Sequence, residues 1–123
     1  MDDESLSPEQ RIEWMAKGRE AWNAGEFYEA HEFWEEVWNV IDEPERLWVQ
    51  GLIQVATGLH KLAAGREDVA ATLFAKALVK LDGPLAAPDV LDGVDVLSAR
   101  DGARRLLANI RRAEHCDPRS IRV

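Results

Sequence analysis

The fold is decided by residues 47–60, which read LWVQGLIQVATGLH. In a helix, these side chains are apolar around nearly the whole circumference, which is typical of a helix buried on several sides. We therefore expect a central helix here. Gly51 and Gly58 lie on one stripe of that helix with Gln54 between them, so a neighbouring helix should approach closely along that line.

Start and stop signals of further helices flank this segment. Ser7-Pro8-Glu9-Gln10 combines a capping hydroxyl, a proline at the first helical position and a glutamine at the third, which together form a complete N-terminal signal. Asp42-Glu43-Pro44-Glu45 repeats this signal with Asp42 as the cap. Gly25 and Gly65 can adopt the left-handed conformation that ends a helix. No segment alternates convincingly at the strand period.

These signals predict an all-α fold, a compact bundle of about five helices built from two helical hairpins and a C-terminal helix. We expect a single domain over residues 1–123, because a chain of this length can bury one core. In the first helix, Ile12, Met15 and Trp22 should face inward. The predicted helices lie near 8–23, 26–41, 44–64, 67–81 and 98–114, with a loop over 82–97 and a tail over 116–123.

Composition restricts the class of partner and the compartment. The net charge is −8, which argues against binding to nucleic acid, because that binding depends on clustered lysines and arginines. No apolar run approaches the ~20 residues of a membrane span. The first five residues include three acids, Asp2, Asp3 and Glu4, whereas a secretory signal begins with basic residues followed by an apolar stretch. We therefore expect a cytoplasmic protein that binds neither nucleic acid nor a membrane.

The charge is unevenly distributed along the chain. Residues 1–50 hold fourteen acidic side chains and four basic ones, whereas seven arginines and three acids follow from Ser98 onward. The simplest use of this asymmetry is internal or intersubunit pairing of the acidic half with the basic end. Five tryptophans and the apolar helix over 44–64 exceed what so small a core readily hides, so we also expect self-association.

The candidate functional residues centre on residues 29–38, EAHEFWEEVW. His31 shares a helical stripe with the apolar residues of this segment and should lie at the edge of the core. Glu35 follows His31 by one turn and can reach it. Buried glutamines on the central helix would need partners, for which this segment is the obvious source. The predicted cluster consists of His31, Glu32, Glu35, Trp38, Gln50 and Gln54.

Several functions are compatible with this cluster. Its side chains can form hydrogen bonds that lock the second predicted helix against the third. For the protein as a whole, a non-enzymatic binding or assembly module is the leading interpretation. The main alternative is a metal-dependent hydrolase or lyase in which His31, Glu32 and Glu35 hold a divalent metal or transfer protons. A second alternative is an adaptor, similar to a helical repeat, that binds a peptide between its hairpins. No other cofactor is identified, and the small-molecule or protein ligand stays open. His60 is expected to be a hydrogen-bonded core residue.

The motif Gly25-Glu26-Phe27-Tyr28-Glu29-Ala30-His31-Glu32, with Glu35, Trp38 and Gln50-Gly51-Leu52-Ile53-Gln54, resembles the DUF309 family of small prokaryotic proteins. The resemblance covers about residues 18–82, and Gly93-Val94-Asp95 resembles a further element of that family. It implies an all-α bundle and no established activity. It also marks His31, Glu32, Glu35, Gln50 and Gln54 as the characteristic polar residues.

Overall fold

The computed structural model describes residues 6–123. This part of the chain forms five α-helices, one two-stranded hairpin and one short 3₁₀ helix, which confirms the all-α bundle. Residues 1–5, whose three acids support the cytoplasmic prediction, lie outside the described residues. The elements are α1 (Pro8–Asn23), α2 (Phe27–Trp38), α3 (Glu45–Ala63), α4 (Glu67–Leu81), β1 (Val90–Leu91), β2 (Val94–Asp95), α5 (Val96–Arg111) and the 3₁₀ helix (Pro118–Ser120).

Helix α3 is central, because it packs against both α2 and α4. Its two glycines admit α4 at close range, as the sequence predicts. A Cβ atom at Gly51 would lie 2.7 Å from Cγ of Leu81, and one at Gly58 would lie 2.6 Å from Cε1 of Phe74. Among the helices of residues 6–123, none is both long and apolar enough to cross a bilayer.

Helices α1 and α2 join through two buried tryptophans. The ring centroids of Trp22 and Trp34 are 5.5 Å apart, and both side chains are almost fully buried. Nε1 of Trp34 donates to the carbonyl oxygen of Met15 at 3.1 Å. The Ser7–Gln10 capping box forms as predicted.

Ile12 does not face the core, and this prediction is wrong. Its surface is 56% exposed, whereas Met15, Gly18 and Trp22 are buried. Gly18 lies at the centre of the buried face, and Ile12 is about 120° from it around the helix. The core-facing stripe of α1 is therefore narrower than its apolar pattern indicates.

The connection between α2 and α3 also differs from the prediction. Helix α2 ends at Trp38 rather than near residue 41, and α3 begins at Glu45. The N-cap is Pro44 rather than Asp42, and it makes no side-chain capping hydrogen bond. Glu43, the residue before it, reaches forward to the first turn, where its Oε2 accepts from the backbone N–H of Leu47 at 2.9 Å.

Residues 82–97, predicted as a loop, contain the hairpin. Val90 pairs with Asp95 and Leu91 with Val94 in antiparallel register. The turn between the strands is Asp92-Gly93, with φ angles of 49° and 82°. Two successive positive φ angles are typical of a type I′ hairpin turn, for which Asp-Gly is a favoured dipeptide.

Helix α5 starts two residues before the predicted position because Asp95 caps it. Oδ1 of Asp95 accepts from the backbone N–H of Ser98 at 3.0 Å, and Oδ2 accepts from its hydroxyl at 2.8 Å. The Gly93-Val94-Asp95 element thus ends the hairpin and starts the helix. Helix α5 ends at Arg111 rather than at residue 114.

The predicted tail over 116–123 is instead packed into the molecule. Ile121 and Val123 are buried, and the carbonyl oxygen of Ile121 accepts from Nε1 of Trp22 at 3.0 Å. The carbonyl oxygen of Val123 accepts from the backbone N–H of Asp95 at 2.7 Å. The last residues therefore connect α1 with the start of α5.

Candidate functional site

Helix α2 has a buried apolar side and an exposed acidic side. Four apolar residues of α2 point into the core: Phe27, Ala30, Trp34 and Val37. Four glutamates of α2 are exposed, and we call them the acidic face: Glu29, Glu32, Glu35 and Glu36. Apolar and acidic residues that are interleaved in the sequence of α2 therefore lie on different sides of the helix. The carboxylates are hydrated rather than forced against the core.

His31 lies at the boundary between the two sides. Its side chain is 18% exposed, and its Nε2 is 3.2 Å from Oε1 of Glu35. Its Nδ1 donates to the carbonyl oxygen of Tyr28 at 2.9 Å. A carbonyl can only accept, so both contacts are hydrogen bonds when the ring is an imidazolium, which donates from both nitrogens.

Tyr28 stands between two histidines at the surface where α2 meets α3. Its ring centroid is 5.0 Å from that of His31 on α2 and 5.5 Å from that of His60 on α3. Tyr28 is nevertheless 50% exposed. Sequence reasoning gave Tyr28 no role and expected His60 to be a core residue. The signal was the i, i+3 spacing of Tyr28 and His31, but the approach of His60 depends on helix packing.

The structure does not assemble the three predicted metal ligands. Glu32 follows His31 by one residue, so its side chain points about 100° further around α2, and it is exposed. Among residues 6–123, no group of three or more histidine, cysteine, aspartate or glutamate side chains is placed to hold a metal ion. His31 and Glu35 form a pair, which is short of the three or four protein ligands of a typical zinc site.

The glutamines of α3 do not complete the cluster either. Oε1 of Gln54 accepts from Nζ of Lys80 on α4 at 2.9 Å, so its partner is α4 and not α2 as expected. Burial lowers the pKa of Lys80, and the nearby charge of Lys76 lowers it further. Gln50 is half-buried on the same helix.

Trp38, the last predicted member, lies at the end of α2 away from His31. Cζ of Arg46 is 3.9 Å from the centroid of the Trp38 ring, a typical cation–π distance. Four of the six predicted residues therefore lie in three separate groups, His31 with Glu35, Gln54 with Lys80, and Trp38 with Arg46. Glu32 and Gln50 belong to none of these groups.

Residues 15–73 match the family model described as a domain of unknown function, DUF309. These residues form a DUF309 domain. The predicted resemblance is confirmed, and the match includes all of α2 and α3, with His31, Glu35 and both glutamines. Gly93-Val94-Asp95 lies beyond the matched residues.

One relative of the DUF309 domain is an uncharacterized protein of Aquifex aeolicus (strain VF5), which is 32% identical over 92 residues. The aligned residues make up 74% of this chain and 27% of the relative. The chain thus spans about a quarter of the length of that protein. No solved structure matches the chain.

The surface cavities of residues 6–123 include three that no residue of the predicted cluster lines. One of about 430 Å³ lies between α1 and α2 beside Phe33. Another of about 350 Å³ lies where the N-terminus of α1 meets Glu43 and Glu45. The third, of about 420 Å³, lies between α5 and the C-terminal residues.

Proposed function

We propose that this DUF309 domain is a non-enzymatic binding and assembly module that self-associates. Its recognition surface is the acidic face of α2 together with Tyr28, and the occupant is the arginine-bearing end of α5 in a second copy. The observation that carries this proposal is the unmatched charge of the two surfaces within one chain.

The ion pairs of residues 6–123 leave the acidic half and the basic end separate. Arg100 pairs with Asp89, and Arg104 pairs with Asp82 and Asp101. None of the ion pairs among the described residues joins an acid of residues 6–50 to an arginine after Ser98. Pairing of the acidic half with the basic end inside one chain is therefore not formed among residues 6–123. The alternative that the sequence leaves open is pairing between two copies of the chain.

Two arginines are the natural counterpart of the acidic face. Arg111 ends α5 and Arg112 follows it, and both are exposed. A two-fold arrangement would place the acidic face of each copy against these arginines of the other, so that both contacts form at once. Complementary charge of this kind favours correct encounter and disfavours like-charged partners.

The position of Tyr28 suits a guanidinium group. A half-exposed tyrosine ring offers a face on which arginine can stack, and neighbouring carboxylates can accept its N–H groups. Glu35 has its Oε1 beside His31, 3.2 Å from Nε2, and its other oxygen stays free to accept from a partner. The contact would therefore combine stacking with charge-assisted hydrogen bonds.

The Aquifex relative also supports a modular role. The aligned region accounts for 27% of its length, so in that protein the corresponding residues are joined to much additional sequence. A region that makes up one part of a longer protein favours a modular role for the corresponding residues.

The test is a charge swap followed by sedimentation velocity. The Glu32→Arg/Glu36→Arg variant makes the α2 surface basic, and the Arg111→Glu/Arg112→Glu variant makes the end of α5 acidic. We expect the wild type to self-associate at about 0.02 M salt and to dissociate near 0.5 M, where charges are strongly screened. Each variant alone should be monomeric, and an equimolar mixture should associate again because every contact is then complementary.

A matched control is Glu13→Arg/Glu20→Arg, which changes the net charge equally but on α1. This variant should associate as the wild type does. A wild type that is monomeric at every salt concentration would contradict the proposal, as would variants that fail to restore association when mixed. Binding of an arginine-rich peptide by a monomeric wild type would overturn the second copy as the occupant.

A further inference from the structure

We infer that the cavity between α5 and the C-terminal residues is a binding site for a small phosphate monoester that carries an apolar group. This site lies apart from the acidic face of α2 and does not depend on self-association. Its volume is about 420 Å³, within the usual range of about 300–1,000 Å³ for small-molecule pockets.

The wall of the cavity is held in place by the core. Gly102 of α5 is buried, and a Cβ atom there would lie 2.5 Å from Cδ1 of Ile121. Ile121 can therefore pack directly on the α5 backbone. Nε1 of Trp22 fixes the same segment by donating to the carbonyl oxygen of Ile121 at 3.0 Å, and Oδ1 of Asn23 accepts from the backbone N–H of Val123 at 2.9 Å. A wall fixed before binding reduces the entropy that binding must overcome.

Two arginines and a serine supply the donors. Nη2 of Arg105 donates to Oγ of Ser120 at 3.2 Å, and Nη1 of Arg122 lies 3.5 Å from the carbonyl oxygen of Asn23. Within residues 6–123 neither arginine forms an ion pair. A guanidinium has five N–H donors, so most donors of both remain free, and the Ser120 hydroxyl can donate as well.

The carboxylate of Asp101, which lines the cavity, already accepts a hydrogen bond. Its Oδ1 accepts from Nη1 of Arg104 at 3.2 Å. Arg105 and Arg122 of the lining, together with Arg104, therefore supply three positive charges against the one negative charge of Asp101. Because the whole chain has a net charge of −8, an anion is attracted here only by these close groups, over about one Debye length.

The remaining surface of the cavity is apolar. Leu97, which is 38% exposed, and Ile121, which is buried, both line it. Donors from three side chains suit the three terminal oxygens of a phosphate monoester. The apolar wall suits an attached hydrocarbon or aromatic group, which distinguishes this ligand from free phosphate.

The test uses phenyl phosphate and inorganic phosphate as probes, followed by NMR of the backbone amides of ¹⁵N-labelled protein. We expect saturable shifts at Gly102 and Ser120, with phenyl phosphate binding more tightly than inorganic phosphate. Arg105→Gln and Arg122→Gln should each weaken phenyl phosphate binding about tenfold, because each removes charge-assisted hydrogen bonds. Both side chains are exposed, so the variants should fold normally.

Arg66→Gln is the matched control, since Arg66 is an exposed arginine beside α4 that does not line the cavity. It should change the affinity by less than about twofold. Equal weakening by all three variants would show binding to the general charge of the surface and would overturn the proposal. Amide shifts that do not saturate would also overturn the proposal. So would equal affinity for phenyl phosphate and inorganic phosphate, because the apolar wall would then contribute nothing to binding.

Discussion

Arg46 and Trp38 form a stacked pair that closes the turn between α2 and α3. Cζ of Arg46 lies 3.9 Å from the ring centroid, and its Nε donates to the carbonyl oxygen of Trp38 at 3.2 Å. Within residues 6–123, the buried Nε1 of Trp38 has no hydrogen-bond partner. The ring therefore contributes through its face and not through its N–H.

This pair predicts that Trp38 tolerates replacement by phenylalanine better than Trp48 does. Trp38→Phe keeps an aromatic face for Arg46 and removes a buried donor that lacks a partner. Trp48→Phe removes the hydrogen bond from Nε1 to the carbonyl oxygen of Leu85, which is 2.7 Å long. Urea unfolding followed by circular dichroism should show Trp48→Phe to be the more costly by about 0.5–1.5 kcal/mol, because the freed carbonyl of the exposed Leu85 can bind water instead. A larger loss for Trp38→Phe would contradict the stacking argument.

Gly18 is predicted to reject even a methyl group. A Cβ atom there would lie 2.1 Å from Nε1 of Trp34, whose buried ring is held by its hydrogen bond to Met15. Gly18→Ala should gain up to about 1 kcal/mol of helix propensity yet lower the free energy of unfolding by about 1–3 kcal/mol, because the core must move. Glu20→Ala, at an exposed position of α1, is the control and should stay within about 0.5 kcal/mol. A stabilised Gly18→Ala variant would show that Trp34 can shift freely.

Local patterns predicted the features that depend on one helix. The glycine stripe of α3 was enough to predict the close approach of α4, because helical geometry alone places Gly51 and Gly58 on one line. Helical spacing likewise predicted that Glu35 reaches His31, and their 3.2 Å contact agrees. Both predictions depend only on residues that lie within a few turns of each other on one helix.

Features that depend on packing between distant segments could not be predicted. Gln54 needs a partner on either neighbouring helix, and only the packing of α4 selects Lys80. The residues from Asp117 onward look like a polar tail, yet Ile121 is buried because Trp22 and Gly102 provide a site for it. The hairpin had a local signal in Asp92-Gly93, but its strands are too short to show a period.

The thiol of Cys116 is predicted to react slowly. Burial raises the pKa of Cys116, the charge of Glu67 raises it further, and Arg105 opposes the shift. Since the thiolate is the reactive form, alkylation by iodoacetamide at pH 8 should be several-fold slower in the folded protein than in urea. An equal or faster rate in the folded protein would contradict this prediction.

The raised pKa of the Cys116 thiol also predicts how the free energy of unfolding changes with pH. The pKa is higher in the folded state than in the unfolded state, so the folded state holds the proton more tightly. The associated stabilisation is complete below the ordinary thiol pKa of about 8.5 and is lost as the pH rises through the folded value. Cys116→Ala should therefore flatten the decline of the free energy of unfolding above about pH 8.5. An identical decline in the variant and the wild type would show that other groups cause it.

Arg11 connects three elements of the fold. Its Nε donates to Oδ2 of Asp92 in the hairpin turn at 2.6 Å. Its Nη1 and Nη2 donate to Oε1 and Oε2 of Glu45, the first residue of α3, at 3.2 Å and 2.5 Å. The hydrogen bond with Glu45 is the main cause that raises the pKa of Arg11, so its charge persists at all ordinary pH values.

Replacing this guanidinium by an ammonium tests whether geometry or charge matters. Arg11→Lys retains the charge but cannot contact both carboxylates in the same planar arrangement, so we expect a loss of about 1–3 kcal/mol in the free energy of unfolding. Hydrogen exchange should also accelerate at the amide of Asp95, which is bonded to Val123, because the hairpin loses its attachment to α1. Arg66→Lys, at an exposed site, should change neither quantity. An unchanged free energy of unfolding in Arg11→Lys would mean that the positive charge alone holds the hairpin in place, without the planar arrangement of guanidinium donors.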